Sequence, residues 1–262
     1  MIIWIASYPK SGNTWVRALL CSYFYSNSGK FDFHLLDNIE QFPNIKCLSH
    51  FVKDFSDPVN VTKYWIPAQS KINLENKIKF FKTHNAMCVI NGNQFTNALN
   101  TAAVIYVVRD PRNVVTSLAN HYEISNLEAF KFFTNKRKII FPKERHIDGD
   151  VEKGNVNFVG DWLDHYKSWT NIKFAPVLVV KYEDLIHDAS NTFALILKFL
   201  KNIMPVKYDK EKIQVAVKTT NFDVLQKKEE KYGFYEAVFS SKNNRKIKFF
   251  NLGKKNSWKY LL

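Results

Sequence analysis

Short apolar runs alternate with helical spacing along this chain. Ile2-Ile3-Trp4-Ile5, Lys79-Phe80-Phe81, Ala102-Ala103-Val104-Ile105-Tyr106-Val107-Val108 and Val177-Leu178-Val179-Val180 are nearly continuous apolar segments. Runs of this length, rich in β-branched and aromatic residues, read as strands buried on both faces of a parallel sheet. After three of them the apolar period lengthens to that of a helix. Val16, Leu19, Leu20 and Tyr23 keep this spacing, as do Val114, Val115, Leu118 and Ala119, and Phe193, Leu195, Ile196 and Phe199. Alternating strands and helices predict one α/β domain spanning 1–262, with a central parallel sheet flanked by helices. In such sheets ligands bind at the carboxyl ends of the strands.

Between these units the pattern is less regular. Asp110 is a good N-cap and Pro111 suits a first helical position, so a helix starts there. Residues 26–76 are broken by Ser26-Asn27-Ser28-Gly29 and by Pro43, Pro58 and Pro67. Their aromatics (Phe31, Phe33, Phe42, Phe51, Phe55, Tyr64, Trp65) are core, apart from any that line an acceptor pocket. Residues 126–158 carry charge clusters and Asp148-Gly149-Asp150. They read as an insertion: either a lid over the site or a stretch with no function of its own. Trp162, His165 and Trp169 share one face of a helix beginning near Gly160. That face is either core packing or a catalytic rim.

Composition narrows the classes. A formal charge of +14 favours anionic ligands but does not choose among nucleotides, nucleic acid and acidic glycans. No run of about 18 apolar residues predicts a transmembrane helix. The start of the chain has no basic, apolar signal pattern. Cys21, Cys47 and Cys88 are widely spaced, which suits free thiols in the cytoplasm and offers no metal-binding pattern.

The candidate chemistry sits at the strand ends. Ser7-Tyr8-Pro9-Lys10-Ser11-Gly12-Asn13-Thr14-Trp15 joins the first strand to the first helix. A loop entering a helix aims free amides and the positive helix end at one point, which binds phosphate or sulfate. Lys10 adds charge, Ser11 and Thr14 add hydroxyls, and Gly12 permits close approach. The Walker pattern needs its lysine after the last glycine, whereas Lys10 precedes Gly12. An ATP-using P-loop kinase therefore fits poorly. Lys82 and His84 end the second strand two residues apart, on one side. Arg109 ends the third, and its planar fork suits phosphate, or alternatively a salt bridge at the helix terminus.

The nine-residue loop resembles the T-Y-P-K-S-G-T-T-W phosphosulfate loop of the cytosolic-type sulfotransferases. The resemblance continues through K-T-H at Lys82-Thr83-His84 and the strand–helix unit bearing Arg109 and Ser117. It extends to G-D-W-x-x-H at Gly160–His165, Y-E-D-L at Tyr182–Leu185 and T-N-F at Thr220–Phe222. It ends in F-F-N-L-G at Phe249–Gly253. It implies a P-loop nucleotide-kinase-like fold and the donor 3′-phosphoadenosine 5′-phosphosulfate (PAPS), which leaves as 3′-phosphoadenosine 5′-phosphate (PAP). It also implies no metal, and a small-molecule or glycan acceptor bearing a hydroxyl or amine.

On this resemblance His84 is the base, Lys10 stabilises the leaving phosphate and Lys82 the sulfuryl oxygens. Arg109 and Ser117 hold the 3′-phosphate. Ser11, Gly12, Asn13 and Thr14 cradle the 5′-phosphosulfate. Trp15 and Phe222 sandwich adenine, with Thr220 and Tyr182 beside the nucleotide. The chain departs from the family at Asn85-Ala86, where Leu-Pro is usual, and at Asn251 and Leu252, where an arginine and a lysine are usual. There Gly253 offers backbone donors, and Lys254, Lys255 or Arg245 could restore charge. The remaining alternative is a non-catalytic basic module binding nucleic acid or acidic glycan, which would accept many polyanions. A sulfotransferase of this kind has no specific nucleic-acid partner.

Overall fold

The computed structural model describes residues 1–140, 156–240, 243 and 245–262. The chain begins with β1 (Ile2–Ser7) and α1 (Asn13–Tyr25), then a 3-10 turn over Phe33–Asn38. Short helices α2 (Ile45–Leu48), α3 (Pro58–Val61) and α4 (Trp65–Asn73) precede β2 (Lys79–Thr83). A small ladder of β3 (Val89–Ile90) and β4 (Asn93–Gln94) leads to β5 (Thr101–Val108), α5 (Pro111–Tyr122) and α6 (Asn126–Phe133). Next come β6 (Ile139–Ile140), β7 (Asn157–Phe158), α7 (Trp162–Thr170) and β8 (Val177–Lys181). Five more helices follow: α8 (Tyr182–His187), α9 (Ala189–Lys201), α10 (Lys210–Thr219), α11 (Phe222–Tyr232) and α12 (Trp258–Leu261). Among the described residues no helix is long and apolar enough to cross a membrane.

These elements form two compact units. The first comprises Met1–Tyr8, Ile39–Val107 and Asn135–Val179. It holds the sheet, ordered β2-β1-β5-β8, with β1 parallel to both β2 and β5. Of these four strands, Val108 at the end of β5 and Val180–Lys181 at the end of β8 belong to the second unit. The four apolar runs are these four strands. Ile2 through Ala6 are completely buried, as a central strand requires. Trp4 anchors the packing. Its ring meets Phe42, Phe81, Phe95 and Trp169 at centroid distances of 5.6, 6.3, 5.3 and 6.4 Å. Its Nε1 donates to Thr101 Oγ1 at 3.0 Å, so burial leaves no polar group unpaired there.

The second unit comprises Pro9–Asn38, Val108–Thr134 and Val180–Leu262. Helix α1 is buried from Asn13 through Tyr23. Helix α5 starts as its sequence dictates, with the Asp110 carboxylate accepting from Arg112 N–H and Pro111 at the first position. Phe33, Phe234, Phe249 and Phe250 form an aromatic cluster. Phe234 lies 4.8, 4.9 and 5.3 Å from Phe33, Phe249 and Phe250. The expected insertion at 126–158 begins in α6, which a Ser125/Glu128 capping box opens. Its other described parts include β6 and β7, which pair antiparallel. Residues 141–155 of it lie outside the described residues.

Candidate active site

The loop after β1 has the backbone of an anion cradle. Lys10 and Gly12 both take positive φ, 67° and 103°, and Gly12 is the N-cap of α1. Gly12 is glycine for two reasons. Its φ disfavours any side chain, and a Cβ there would lie 2.4 Å from Tyr182 Cδ2. The carbonyl of Gly12 accepts from Trp15 and Val16 N–H at 3.0 and 3.3 Å, which starts the helix. Ser11 is buried, and its Oγ has no partner among the described residues. Asn13 and Thr14 are also buried, but the Thr14 hydroxyl donates to Glu236 Oε2 at 3.2 Å. With one proton to give, Thr14 cannot donate to an anion while that bond stands. Glu236 also pairs with Arg17 at 2.6 Å, so it braces the first turns of α1.

Arg109 is 7% exposed, and its Nη1 donates to the Lys10 carbonyl at 3.1 Å. Its guanidinium lies 4.2 Å from the Tyr182 ring centre. Its Nε has no partner among the described residues, and none of their carboxylates pairs with it. The salt bridge at this helix terminus instead joins Arg112 to Asp110 at 2.6 Å. Burial holds the Arg109 guanidinium below its ordinary pKa, with Tyr182, Glu183 and Asp110 opposing the shift. A buried cation without an ion pair is costly and calls for an anion. Ser117 is half-buried on α5 in the same unit.

Tyr182 is the hub of this cluster in the second unit. It is buried, which raises the pKa of its hydroxyl. Besides Arg109 and Gly12 it meets Trp15 edge-on at 5.7 Å. Trp15 is itself buried, with Nε1 unpartnered among the described residues. Phe222 opens α11 and presses against Gly253, where a Cβ would come within 2.5 Å of its ring. Thr220 is fully buried, and its hydroxyl is committed to Ala216 O at 2.8 Å. Lys254 belongs to the 3-10 turn Gly253–Lys255, and its side chain lies outside the described residues.

The first unit carries the K-T-H residues. Ile5 pairs with Lys82 and Ala6 with Thr83, so the parallel register brings Ser7 beside His84. Nδ1 of His84 lies 3.0 Å from the Ser7 carbonyl and 3.3 Å from Ser7 Oγ. Lys82 is buried, and its peptide bonds to Glu40 O and Phe42 N. His165 is fully buried on α7. Its Nδ1 is 2.8 Å from Tyr106 Oη, and its Nε2 is 3.2 Å from the His84 carbonyl. The carbonyl must accept, so Nε2 bears the proton and Nδ1 accepts from the tyrosine. Burial drops the pKa of His165 to about 3. It is a satisfied interior histidine, the core alternative of the two that its spacing left open.

Several residues shape the site through contacts that no motif assigned. Asn85 stands where the family has leucine. It is fully buried, accepts from Phe158 N–H at 2.8 Å through Oδ1, and its carbonyl accepts from Trp169 Nε1 at 2.9 Å. It therefore fixes the chain directly after His84. Phe249 lies beneath the Lys10 ammonium, 4.2 Å from Nζ to the ring centre, and Glu236 grips Thr14 and Arg17. These pairings join positions more than 200 residues apart, and no local pattern encodes them.

A family model described as "Sulfotransferase domain" matches residues 2–262. Mouse Sulfotransferase 2A6 is 23% identical over 261 residues, covering 97% of this chain and 76% of that protein. Retinol dehydratase solved with retinol and PAP superposes with a TM-score of 0.56 at 17% identity, over 98% of this chain and 75% of that one. Mouse sulfotransferase SULT7A1 solved with PAP gives 0.52 at 19% identity, over 86% of this chain. There the match spans 65% of the longer chain, just under two thirds. The whole length of the match and the loop at Ser7–Trp15 lead to one conclusion: this chain belongs to the sulfotransferase-domain family.

Proposed function

We propose that this chain transfers a sulfuryl group from PAPS to the hydroxyl or amine of a small-molecule acceptor, with His84 as base. Membership of a PAPS-dependent sulfotransferase family makes it an enzyme of that class. The observation that carries the donor assignment is the pair of buried donors without partners among the described residues, Ser11 Oγ and Arg109 Nε. Both belong to groups that bind oxyanions, and Arg109 is a buried cation with no ion pair among the described residues. The relatives solved with PAP support the same nucleotide, and the one solved with retinol supports a small hydroxylated acceptor.

PAPS supplies an activated sulfuryl group: its sulfur–oxygen bond to phosphate breaks as a bond from sulfur to the acceptor forms. The chain positions and compensates charge, as phosphoryl-transfer enzymes do. The amides at the start of α1, with Ser11, Gly12 and Asn13, would hold the 5′-phosphosulfate. Lys10 would stabilise the leaving phosphate oxygen, and Lys82 the sulfuryl oxygens. Arg109 and Ser117 would hold the 3′-phosphate. Trp15 and Phe222 would flank adenine, beside Tyr182 and Thr220. His84 would take the acceptor proton at Nε2, because the Ser7 carbonyl engages Nδ1.

Calorimetric binding of PAP against AMP tests this reading. PAP should bind at least about tenfold more tightly, the scale of one charge-assisted contact to the added phosphate. Equal affinities, or displacement of PAP by heparin at matched charge, would instead favour a general polyanion binder.

A further inference from the structure

One face of α11 grips the C-terminal loop. Phe222, Gln226 and Glu229 lie four and then three residues apart, hence on one helix face. Glu229 is 9% exposed, and both its oxygens are used: Oε1 accepts from Phe249 N–H at 2.7 Å and Oε2 from Phe250 N–H at 2.8 Å. Gln226 Nε2 donates to the carbonyls of Phe250 and Asn251 at 2.8 and 2.9 Å. Two side chains thus make four hydrogen bonds to three consecutive residues. The ring of Phe222, at the start of the same face, lies against Gly253. The Asn251 side chain is tied down separately, its Nδ2 donating to Asn120 Oδ1 at 2.6 Å.

This grip sets what the loop offers. The amides of Phe249 and Phe250 are consumed by Glu229, whereas those of Asn251, Leu252 and Gly253 have no acceptor among the described residues. Successive amides of this kind bind anions. The gripped segment also presents the Phe249 ring to the Lys10 ammonium at 4.2 Å. Asn251 and Leu252 carry no charge, but the loop is fastened to α5 on both sides of Ser117: Asn251 bonds Asn120, and Thr116 Oγ1 bonds Asn256 Oδ1 at 2.7 Å.

We propose that Gln226 and Glu229 are positioning residues for the nucleotide's 3′-phosphate, holding 249–251 so that the amides of 251–253 remain for the anion. The inference rests on the donor assignment above. It differs from it in placing the determinant on α11, on residues that touch no ligand themselves.

The test compares PAP and AMP binding by calorimetry for the intact wild-type chain, Glu229→Gln and Gln226→Ala, with thermal melting of each. Glu229→Gln replaces one acceptor oxygen by an NH₂ group facing an amide donor. Gln226→Ala removes two bonds without stranding a charge, which keeps the test open if the first variant folds poorly. Each variant should lose about tenfold in PAP affinity, the scale of one such bond. AMP affinity should change by less than about twofold, a difference that separates the 3′-phosphate from the rest of the nucleotide. Parallel losses for PAP and AMP would overturn the proposal, assigning the face to folding or adenine support, and so would unchanged PAP affinity in Gln226→Ala. If the wild type itself fails to prefer PAP, the donor assignment falls and this inference with it. If the wild type prefers PAP and both variants keep that preference, only this inference falls.

Discussion

The backbone carbonyl of Ser7 lies 3.0 Å from Nδ1 of His84. A carbonyl has no proton to give, so the neutral imidazole carries its proton on Nδ1 and its lone pair on Nε2. Nitrogen-15 spectra of the folded protein should show that tautomer. The opposite tautomer would remove the carbonyl's orienting role. His84→Ala should lower turnover by about 10² to 10⁴. PAP affinity should hold, because the proton comes from the acceptor. Retained turnover would require another base.

His165 has a different signature. It is neutral in the folded protein down to about pH 3 and ordinary, near 6.5, when unfolded. Between those values the unfolded chain binds the extra proton, so stability falls as pH falls from 6.5 toward 3. Urea unfolding of wild type and His165→Gln at several pH values isolates this contribution. The wild type should lose up to about 1.4 kcal/mol per pH unit relative to the variant over that window. Parallel curves would mean the ring is charged or exposed in the fold.

Lys10→Ala should reduce turnover by about 10² to 10³, the scale for one transition-state charge donor. Lys10 adopts a left-handed backbone, φ 67°, so Lys10→Gly should be at least as stable as the alanine variant and equally slow. Near-wild-type transfer in either folded variant would take the ammonium out of the chemistry.

Arg109→Ala should weaken PAP by about 1.5–3 kcal/mol and AMP much less. Because Arg109 also bonds the Lys10 carbonyl and stacks on Tyr182, Arg109→Lys is the informative companion. It keeps the charge but loses the fork, and it should recover only part of the affinity. Equal weakening of PAP and AMP by both variants would assign Arg109 to holding the loop.

Gly12→Ala combines a disfavoured φ of 103° with a Cβ 2.4 Å from the Tyr182 ring. It should cost about 1–3 kcal/mol of stability and abolish tight PAP binding. Thermal melting and calorimetry check both. An unperturbed variant would mean that the loop has another backbone path.

The strands β1 and β5 were legible because burial on both faces demands continuous apolar runs, whereas β8, read the same way, is only partly buried and leaves Val179 exposed. The helix starts were legible because capping chemistry is local, as at Asp110-Pro111. The strand–loop–helix junction proposed to meet the donor was legible for a related reason. An anion cradle at a strand–helix junction needs a few residue types in one short stretch, and Ser7–Trp15 is such a stretch. His165 shows the limit. Its helical spacing alone fitted either core or catalysis, and only Tyr106 on one nitrogen and the His84 carbonyl on the other made it core.

The sequence by itself therefore determined the α/β architecture, the loop joining the first strand to the first helix and the identity of its charged side chains. The tertiary structure decided how those side chains are held. It spent the Thr14 hydroxyl on Glu236, set Phe249 beneath Lys10, buried Arg109 against Tyr182 and fastened the C-terminal loop to Gln226 and Glu229. Spacing along a chain records only interactions between near neighbours. These contacts join residues far apart in sequence, and each exists because a buried polar or charged group must find its partner wherever the packed chain supplies one.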